Sequence, residues 1–351
     1  MMQRLVATVG MLAVLASSVS LAGGSEKHPA YTDPEKAGPD FLVQGEYEGA
    51  VGKDKPIAAQ VIALGEGQFE GILYAGGLPG AGWDKKTRFH FKGETGGNAT
   101  HFVGIHGERL SFENQNFRGA IRNGRFFGRA EMFRNVVSDA SFEMKKVERR
   151  SPTLGAKTPP GALVLFDGSG ADGWVNGKLV EGQLLDNGTE SKRQFASLLF
   201  HLEFRTPFMP TARGMGRGNS GVYVKNEWEI QIVDSFGWNA ENRKFERLSA
   251  YGRCGGIHEM IDPRVNVCFP PLSWQTYDVE FTAAQFDESG KRITPAMMTV
   301  RHNGVVIHDN FVLPPVPPGR QPGTTQEGQP GPIMLQDHGN PVRFRNIWVV
   351  E

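Results

Sequence analysis

The segment GNSGVYVKNEWEIQIVDSFG, from Gly218 to Gly237, carries the side chains best suited to chemistry. It reads as a β-hairpin, and alternation along a strand directs one set of side chains to a core: Val222, Val224, Trp228, Ile230 and Ile232. Tyr223, Lys225, Glu229 and Gln231 then share the opposite face. That face is either ordinary solvated surface or the floor of a ligand groove.

Asp234 would point into the core if the alternation continued, where an unpaired carboxylate costs several kcal/mol. A β-bulge near Val233 would return it to the face of Glu229, and bulges occur beside active sites. Two carboxylates and an amide would then line one stretch of strand. These are the groups that acid–base chemistry on a sugar requires. Surface polarity is the alternative.

The composition favours a mostly β protein with two domains. The chain has 351 residues, 45 glycines and 22 prolines, and it lacks long amphipathic helical runs. Lys plus Arg equals Asp plus Glu at 38 each, so no overall field attracts nucleic acid or anionic lipid. We therefore predict no nucleic-acid partner.

The N-terminus has the three-part layout of a secretory signal. Arg4 precedes an apolar run, and a small-residue pattern ends at Ala22. We predict a signal peptide at residues 1–22 and export to the bacterial periplasm or medium, with a buried N-terminal helix as the alternative. No other segment approaches the ~20 apolar residues of a membrane span.

Patterning divides the exported chain into four parts. Residues 23–40 form an exposed leader, residues 41–150 a small glycine-rich antiparallel β-domain, and residues 151–162 a Pro-rich linker. Residues 163–351 contain eight or more short strand patterns, which indicates a jelly-roll β-sandwich. The segment from Leu313 to Pro332 holds seven prolines, so we predict a loop there that overhangs a cleft.

Cys254 and Cys268 are the two cysteines of the chain. An even pair in an oxidising compartment predicts a disulfide, with two buried thiols as the alternative. No His-x-His or His-Glu-x-x-His spacing groups the histidines, so a metal site stays unknown. A structural divalent cation such as Ca²⁺ is compatible with folds of this kind.

Two families resemble the second domain. Glu229-x-Gln231-x-x-Asp234 is similar to the E-x-D-x-x-E strand of laminarinase and lichenase-type glycosidases, which have a concanavalin A-like jelly roll. A more extensive resemblance is to the 3-keto-disaccharide hydrolase family, over about residues 163–351. It rests on LFDGSGADGW, GNSGVYVKNEWEIQIVDSFG, CGGIHEM, PPLSWQTYDVEF, VRHNGVVIHDN and GPIMLQDHGNPVRFRNIWV.

This resemblance implies an enzyme that cleaves glycosides whose C3 hydroxyl has been oxidised to a ketone. The ketone acidifies the C2 proton, so a base can remove it, the C1 substituent can leave and water can add back. Glu229 is the expected base. Asp234 would tune its pKa or protonate the leaving group. Asn219 and Gln231 would orient sugar hydroxyls.

The stretch LQDHGNPVRFR supplies a second set of candidates. His338 could act as an acid, a base or a metal ligand, or it could anchor a loop. Arg343 could stabilise an enolate or form an ordinary ion pair, and Trp274 could stack on a sugar or lie buried. We also place Gln336 and Asp337 among the substrate-binding residues.

No stretch resembles a nucleotide-binding fingerprint, so we expect no required cofactor and a separate enzyme that oxidises the sugar. A noncatalytic, lectin-like carbohydrate-binding jelly roll is the alternative function, and it needs only aromatic and amide groups in the groove. An adhesion or scaffold module needs neither. Incubation with native and 3-keto glycosides distinguishes the enzyme from the lectin-like protein, because a lectin would cleave neither compound.

Overall fold

The computed structural model describes residues 28–105, 117–133, 135, 137–237, 252–315 and 328–351. The predicted signal peptide and residues 316–327 of the predicted Pro-rich loop lie outside the described residues. No described helix is long and apolar enough to cross a membrane. The only α-helix in these ranges is α1 (Pro39–Val43), and three-residue 3-10 turns occur at Pro34–Lys36, Glu131–Phe133 and Gly214–Gly216.

The first domain closes into an eight-stranded antiparallel barrel, in which each strand pairs with its sequence neighbour and the first pairs with the last. Its core is rich in phenylalanine, and Gly71 leaves room for the Phe91 ring, which a Cβ at position 71 would overlap. The strands are β1 (Gly45–Val51), β2 (Lys55–Gly65), β3 (Gln68–Ala75), β4 (Arg88–Gly96), β5 (Ala99–Gly104), β6 (Phe117–Arg122), β7 (Arg125–Ala130) and β8 (Ser141–Val147).

The second domain is a sandwich of two antiparallel sheets around one hydrophobic core. The smaller sheet has the order β10-β13-β22-β15-β16, with β10 (Trp174–Val175), β13 (Thr189–Ser191), β15 (Ser220–Val224), β16 (Trp228–Ile232) and β22 (Ile333–Leu335). The predicted core residues of the hairpin β15–β16 all lie in this core.

The larger sheet has the order β11-β12-β23-β14-β17-β20-β21, and β9 also pairs with β23. Its strands are β9 (Leu163–Phe166), β11 (Leu179–Val180), β12 (Leu184–Asp186), β14 (Leu198–Arg205), β17 (Gln275–Thr282), β20 (Met297–His302), β21 (Val305–Val312) and β23 (Arg343–Val350). A separate two-stranded ribbon joins β18 (Gln285–Phe286) to β19 (Arg292–Thr294). The prediction of an all-β chain with a β-sandwich is confirmed, whereas closure of the first domain into a barrel was not predicted.

The barrel and the sandwich pack directly against each other. Ile62 of the barrel belongs to the sandwich core, and Phe208 of the sandwich belongs to the barrel core. Arg149 forms an ion pair with Glu46 and lies over the Phe269 ring, with its guanidinium carbon 5.0 Å from the ring centroid. The predicted linker, residues 151–162, contains no strand and runs along the sandwich.

Candidate active site

A chain of hydrogen bonds on the outer face of the smaller sheet ends at Glu229. Tyr223 lies directly opposite Glu229 in the β15–β16 hairpin, and its hydroxyl donates to Glu229 Oε2 at 2.6 Å. Gln336, just after β22, donates from Nε2 to the Tyr223 hydroxyl oxygen at 3.0 Å. Three neighbouring strands therefore fix the position of one carboxylate.

Gly221 provides the space that the Glu229 carboxylate occupies. A Cβ built at position 221 would overlap the Glu229 carboxyl group. The backbone carbonyl of Gly221 also accepts a hydrogen bond of 2.8 Å from the Gln336 N–H, which ties β22 to the site. The absence of a side chain at this one position thus lets the carboxylate lie flat against β15.

An imidazole lies beside the carboxylate at the outer edge of β16. The His258 backbone N–H donates to the Glu229 carbonyl at 3.0 Å, and His258 Nδ1 lies 4.0 Å from Glu229 Oε2. About a third of the His258 side chain is exposed. His338 is exposed in the turn after β22, and its charge also acts on Glu229. The site therefore combines one buried carboxylate with two imidazoles that reach solvent.

The electrostatic environment makes Glu229 a stronger base than an ordinary glutamate. Burial raises its pKa, and this effect exceeds the opposing effects of the Tyr223 hydrogen bond and of positive charge on His258 and His338. The side chain is 6% exposed. A carboxylate whose pKa is shifted upward toward neutrality is suited to proton abstraction.

Gln231 and Asn219 form a buried amide pair next to this carboxylate. Gln231 Nε2 donates to Asn219 Oδ1 and to the Ser220 carbonyl, each at 2.8 Å, and the Asn219 N–H donates to Asn340 Oδ1 at 2.8 Å. Within the described ranges, Gln231 Oε1 is buried and accepts no hydrogen bond. The structure thus brings the two predicted substrate-binding amides into contact with each other, on the strand that carries Glu229 and at the start of its partner.

A groove of about 390 Å³ crosses the smaller sheet, and Gln336 of the hydrogen-bond chain is one of its lining residues. Cross-strand pairing puts one residue from each strand in a single row, namely Val175, Glu190, Met334, Tyr223 and Glu229. Gln336 and Asp337 also line the groove, and Asp337 Oδ1 accepts a hydrogen bond from the Gly339 N–H at 2.7 Å. The groove therefore lies over strands β10, β13 and β22, beside the end of the row that holds Glu229.

Asp234 does not join Glu229, so this part of the prediction is wrong. The pairing of β15 with β16 has no bulge, and Asp234 is fully buried after the end of β16. Arg217 Nε donates to Asp234 Oδ2 at 2.5 Å, and the Arg217 side chain is also fully buried. The bulge was expected because an unpaired buried carboxylate is costly. Arg217 pairs with Asp234, so the carboxylate is buried without that cost and no bulge is needed.

Arg343 and Trp274 lie on the other sheet of the sandwich, so the structure does not place them at this site. Arg343 begins β23 and pairs with Glu181 and Asp186, at 2.7 and 2.6 Å. Trp274 precedes β17 and packs under Arg345, whose guanidinium carbon is 3.9 Å from the ring centroid. The turn between His338 and Arg343 carries the chain from the smaller to the larger sheet, which separates residues that are close in sequence.

The predicted disulfide is absent, because Cys254 and Cys268 are buried free thiols. Cys254 Sγ lies 3.2 Å from the Tyr277 hydroxyl, and Cys268 Sγ contacts the carbonyls of Val233 and Phe269. Burial raises the pKa of Cys268. Both cysteines therefore contribute small polar groups to the sandwich core.

No group of three or more His, Cys, Asp or Glu side chains in the described ranges is arranged to hold a metal ion.

Sequence reasoning missed two members of the site. The period of two puts Tyr223 on the face of Glu229, but its role as a hydrogen-bond donor to that carboxylate was not predicted. His258 carried no such signal, since it lies in a loop outside the hairpin.

Fold and site together define a two-sheet β-sandwich with a buried carboxylate of raised pKa on its smaller sheet. The chain belongs to the family of 3-keto-alpha-glucoside-1,2-lyase-like domains, which matches residues 161–350. The predicted family is thereby confirmed, and membership supports an enzyme that acts on carbohydrate.

Two solved structures from Parabacteroides distasonis, each described as a candidate glycosyl hydrolase, are similar to this chain. One has 28% sequence identity and a TM-score of 0.47, and the match covers 55% of this chain and 85% of that one. The other has 17% identity and a TM-score of 0.40, covering 54% and 93%. Comparison with curated proteins finds no significant match.

Proposed function

We propose that this protein cleaves 3-keto-glycosides, with Glu229 as the base that removes the C2 proton. The observation that carries the proposal is the buried Glu229 carboxylate with a raised pKa, held by Tyr223, which in turn accepts a hydrogen bond from Gln336, a residue that lines the groove. Family membership supplies the substrate class. Neither Asp234 nor Arg343 has a part in the proposal.

The reaction proceeds by elimination and rehydration. The C3 ketone acidifies the C2–H bond, whose proton passes to Glu229 while its electron pair forms an enolate. That pair then forms the C1=C2 double bond as the C1–O bond breaks, and the departing oxygen takes a proton. Water adds to C1 and a proton returns to C2, so the net result is hydrolysis.

The neighbouring groups have matching roles. We assign protonation of the departing oxygen to His258, because its ring lies 4.0 Å from the base and reaches solvent. Gln336 gives one Nε2–H to the Tyr223 hydroxyl and has a second N–H that can stabilise the enolate oxygen. Gln231 presents a buried acceptor for a sugar hydroxyl. His338 lies at the rim and acts on Glu229 through its charge.

The wider setting is also part of the proposal. A separate enzyme must supply the 3-ketone, since these steps neither oxidise nor reduce the sugar. We also propose that the signal-like N-terminus directs export to the periplasm or medium. The proposed steps use a base, a proton donor and water, and turnover before and after chelation tests whether Ca²⁺ or another divalent ion is needed.

Incubation with matched native and 3-keto disaccharides, followed by mass spectrometry, tests the function. We expect cleavage of the 3-keto compound only, and its loss in Glu229→Gln. Glu280→Gln, an exposed glutamate on the larger sheet, is the matched control and should keep full activity. A wild-type protein that binds both sugars and cleaves neither would support the lectin-like alternative instead.

A further inference from the structure

The outer face of the β6–β7 hairpin, on the barrel, has two pairs of like charges. Cross-strand pairing sets Arg118 opposite Arg129 and Arg122 opposite Arg125. The pair between them is Ala120 with Phe127. All four arginines are exposed, so this face presents two basic rows separated by one nonpolar row.

Neighbouring acidic groups neutralise this face only in part. Arg125 pairs with Glu143 at 2.9 Å, and Arg129 pairs with Glu131 at 2.9 Å and with Asp139 at 3.5 Å. Both arginines are more than half exposed, and ion pairs of this kind contribute little. In the part of the chain that the structure describes, neither Arg118 nor Arg122 forms an ion pair. Lys145 lies opposite Arg125 on β8 and extends that basic row to three strands.

Folding of the barrel does not account for this arrangement. Like charges directly opposite each other on a sheet face are destabilising, and a barrel with any other polar pair at these positions would avoid that repulsion. An anionic ligand that lies across both rows would remove the repulsion. The chain's net charge of zero hides this local excess, which is visible only once the strands are paired.

The nonpolar row gives the ligand its second contact. Phe127 is 42% exposed, and it borders a depression of about 490 Å³ that Arg118, Arg129 and Glu131 also line. The two basic rows are four residues apart along each strand, or about 13 Å. The distance suits a chain of at least two sugar rings, with one nonpolar ring face on the aromatic ring between the charges.

We propose that the Arg118–Phe127–Arg122 face of the barrel binds an acidic polysaccharide, whose carboxylates or sulfates contact the arginines. The planar guanidinium matches these groups in shape and forms paired hydrogen bonds with them. The choice of a carbohydrate over other polyanions rests on the family of the second domain, and it does not depend on Glu229 being a base. The barrel would hold the protein on a charged glycan while the sandwich acts on its substrate.

Calorimetric titration of the full chain with polygalacturonate tests this site, with dextran as the neutral polymer. We expect binding to polygalacturonate only, weakened at least tenfold by Arg118→Ala/Arg122→Ala and also weakened by raised salt. Phe127→Ala should weaken it severalfold. Arg301→Ala, an exposed arginine on the larger sheet, is the control and should bind as wild type. Thermal unfolding should show that the double variant is folded, because removal of Arg118 and Arg122 relieves their repulsion with Arg129 and Arg125.

Three outcomes would overturn the proposal: equal binding of dextran, unchanged binding by the folded double variant, or arginine-dependent binding of phosphatidylglycerol vesicles without binding of polygalacturonate. The last outcome would assign the face to a membrane surface. The double variant should still cleave a small 3-keto disaccharide, so failure of this proposal is distinguishable from failure of the proposed function.

Discussion

Glu229 and Glu203 are both buried strand glutamates, one on the outer face of each sheet of the sandwich, yet their pKa values shift in opposite directions. Burial acts to raise both. For Glu203, hydrogen bonds from His201, Asn346, the Gly155 N–H and Arg345 outweigh burial and lower its pKa to about 2. Glu229 accepts a side-chain hydrogen bond from Tyr223, and its pKa stays raised.

The difference shows that burial of a carboxylate does not by itself indicate an active site. Glu203 is 1% exposed and more buried than Glu229, but it is held as a stable anion between Arg345 and Asn346. Such an anion is a weak base. A buried carboxylate with few hydrogen-bond donors keeps the capacity to take a proton.

The largest expected difference between the two glutamates is in turnover. Glu229→Gln keeps the shape and a polar head but removes the base, so kcat/KM on a 3-keto glycoside should fall by about 10² to 10⁴-fold. Glu203→Gln should keep turnover within a few-fold. Steady-state kinetics on both variants measures the two losses of kcat/KM. Equal losses would contradict the difference in role between Glu229 and Glu203.

The second expected effect is on acid stability and concerns Glu203. Its folded pKa of about 2 lies below the ordinary 4.5, so its stabilisation is fully present above pH 4.5 and is lost as the pH falls toward 2. The amount is on the order of 3 kcal/mol. Urea unfolding at several pH values should show a smaller loss over this window in Glu203→Gln than in wild type. Parallel pH curves would contradict the account.

The third prediction tests the space beside the base. Gly221→Ala should push the Glu229 carboxylate away from β15 and reduce turnover by up to about 10²-fold, because a shift of about 1 Å is enough for that loss. Gly216→Ala is the matched control, since a Cβ there meets no atom within 4 Å. If both variants have the same kinetics, the packing of the carboxylate on Gly221 does not matter for catalysis.

The smallest predicted effect is a shift of the pH profile. Tyr223→Phe removes a hydrogen bond that lowers the pKa of Glu229, so the pKa should rise further and the acid limb of kcat/KM should move to higher pH. Activity at neutral pH should fall roughly fivefold, equivalent to about 1 kcal/mol. Tyr74→Phe on the barrel is the control. An acid limb that moves to lower pH would contradict the prediction that the Tyr223 hydrogen bond lowers the pKa of Glu229.

Sequence alone could predict what depends on local periodicity. The period of two correctly placed Glu229 and Gln231 opposite the core residues of their hairpin, because alternation is a local property of a strand. The prediction for Asp234 is wrong because this residue follows the end of β16, where the path of the chain brings it to Arg217, a residue that precedes β15. No pattern within the hairpin contains that information.

Other parts of the site depend on topology. Arg343 follows His338 by five positions, but the two belong to different sheets, and only the strand order shows it. His258 reaches Glu229 because a loop pairs with the free edge of β16. Closure of the barrel, which creates the arginine rows, likewise depends on the pairing of β1 with β8.

The isotope effect on cleavage of a 3-keto glycoside deuterated at C2 tests the central claim most directly. If Glu229 removes the C2 proton in the step that limits kcat/KM, wild type should show a primary effect, and Glu229→Gln should lose activity while keeping sugar affinity. Rapid cleavage by Glu229→Gln with an unchanged isotope effect would contradict the account and would move the base to another residue, with His258 and His338 the next to test.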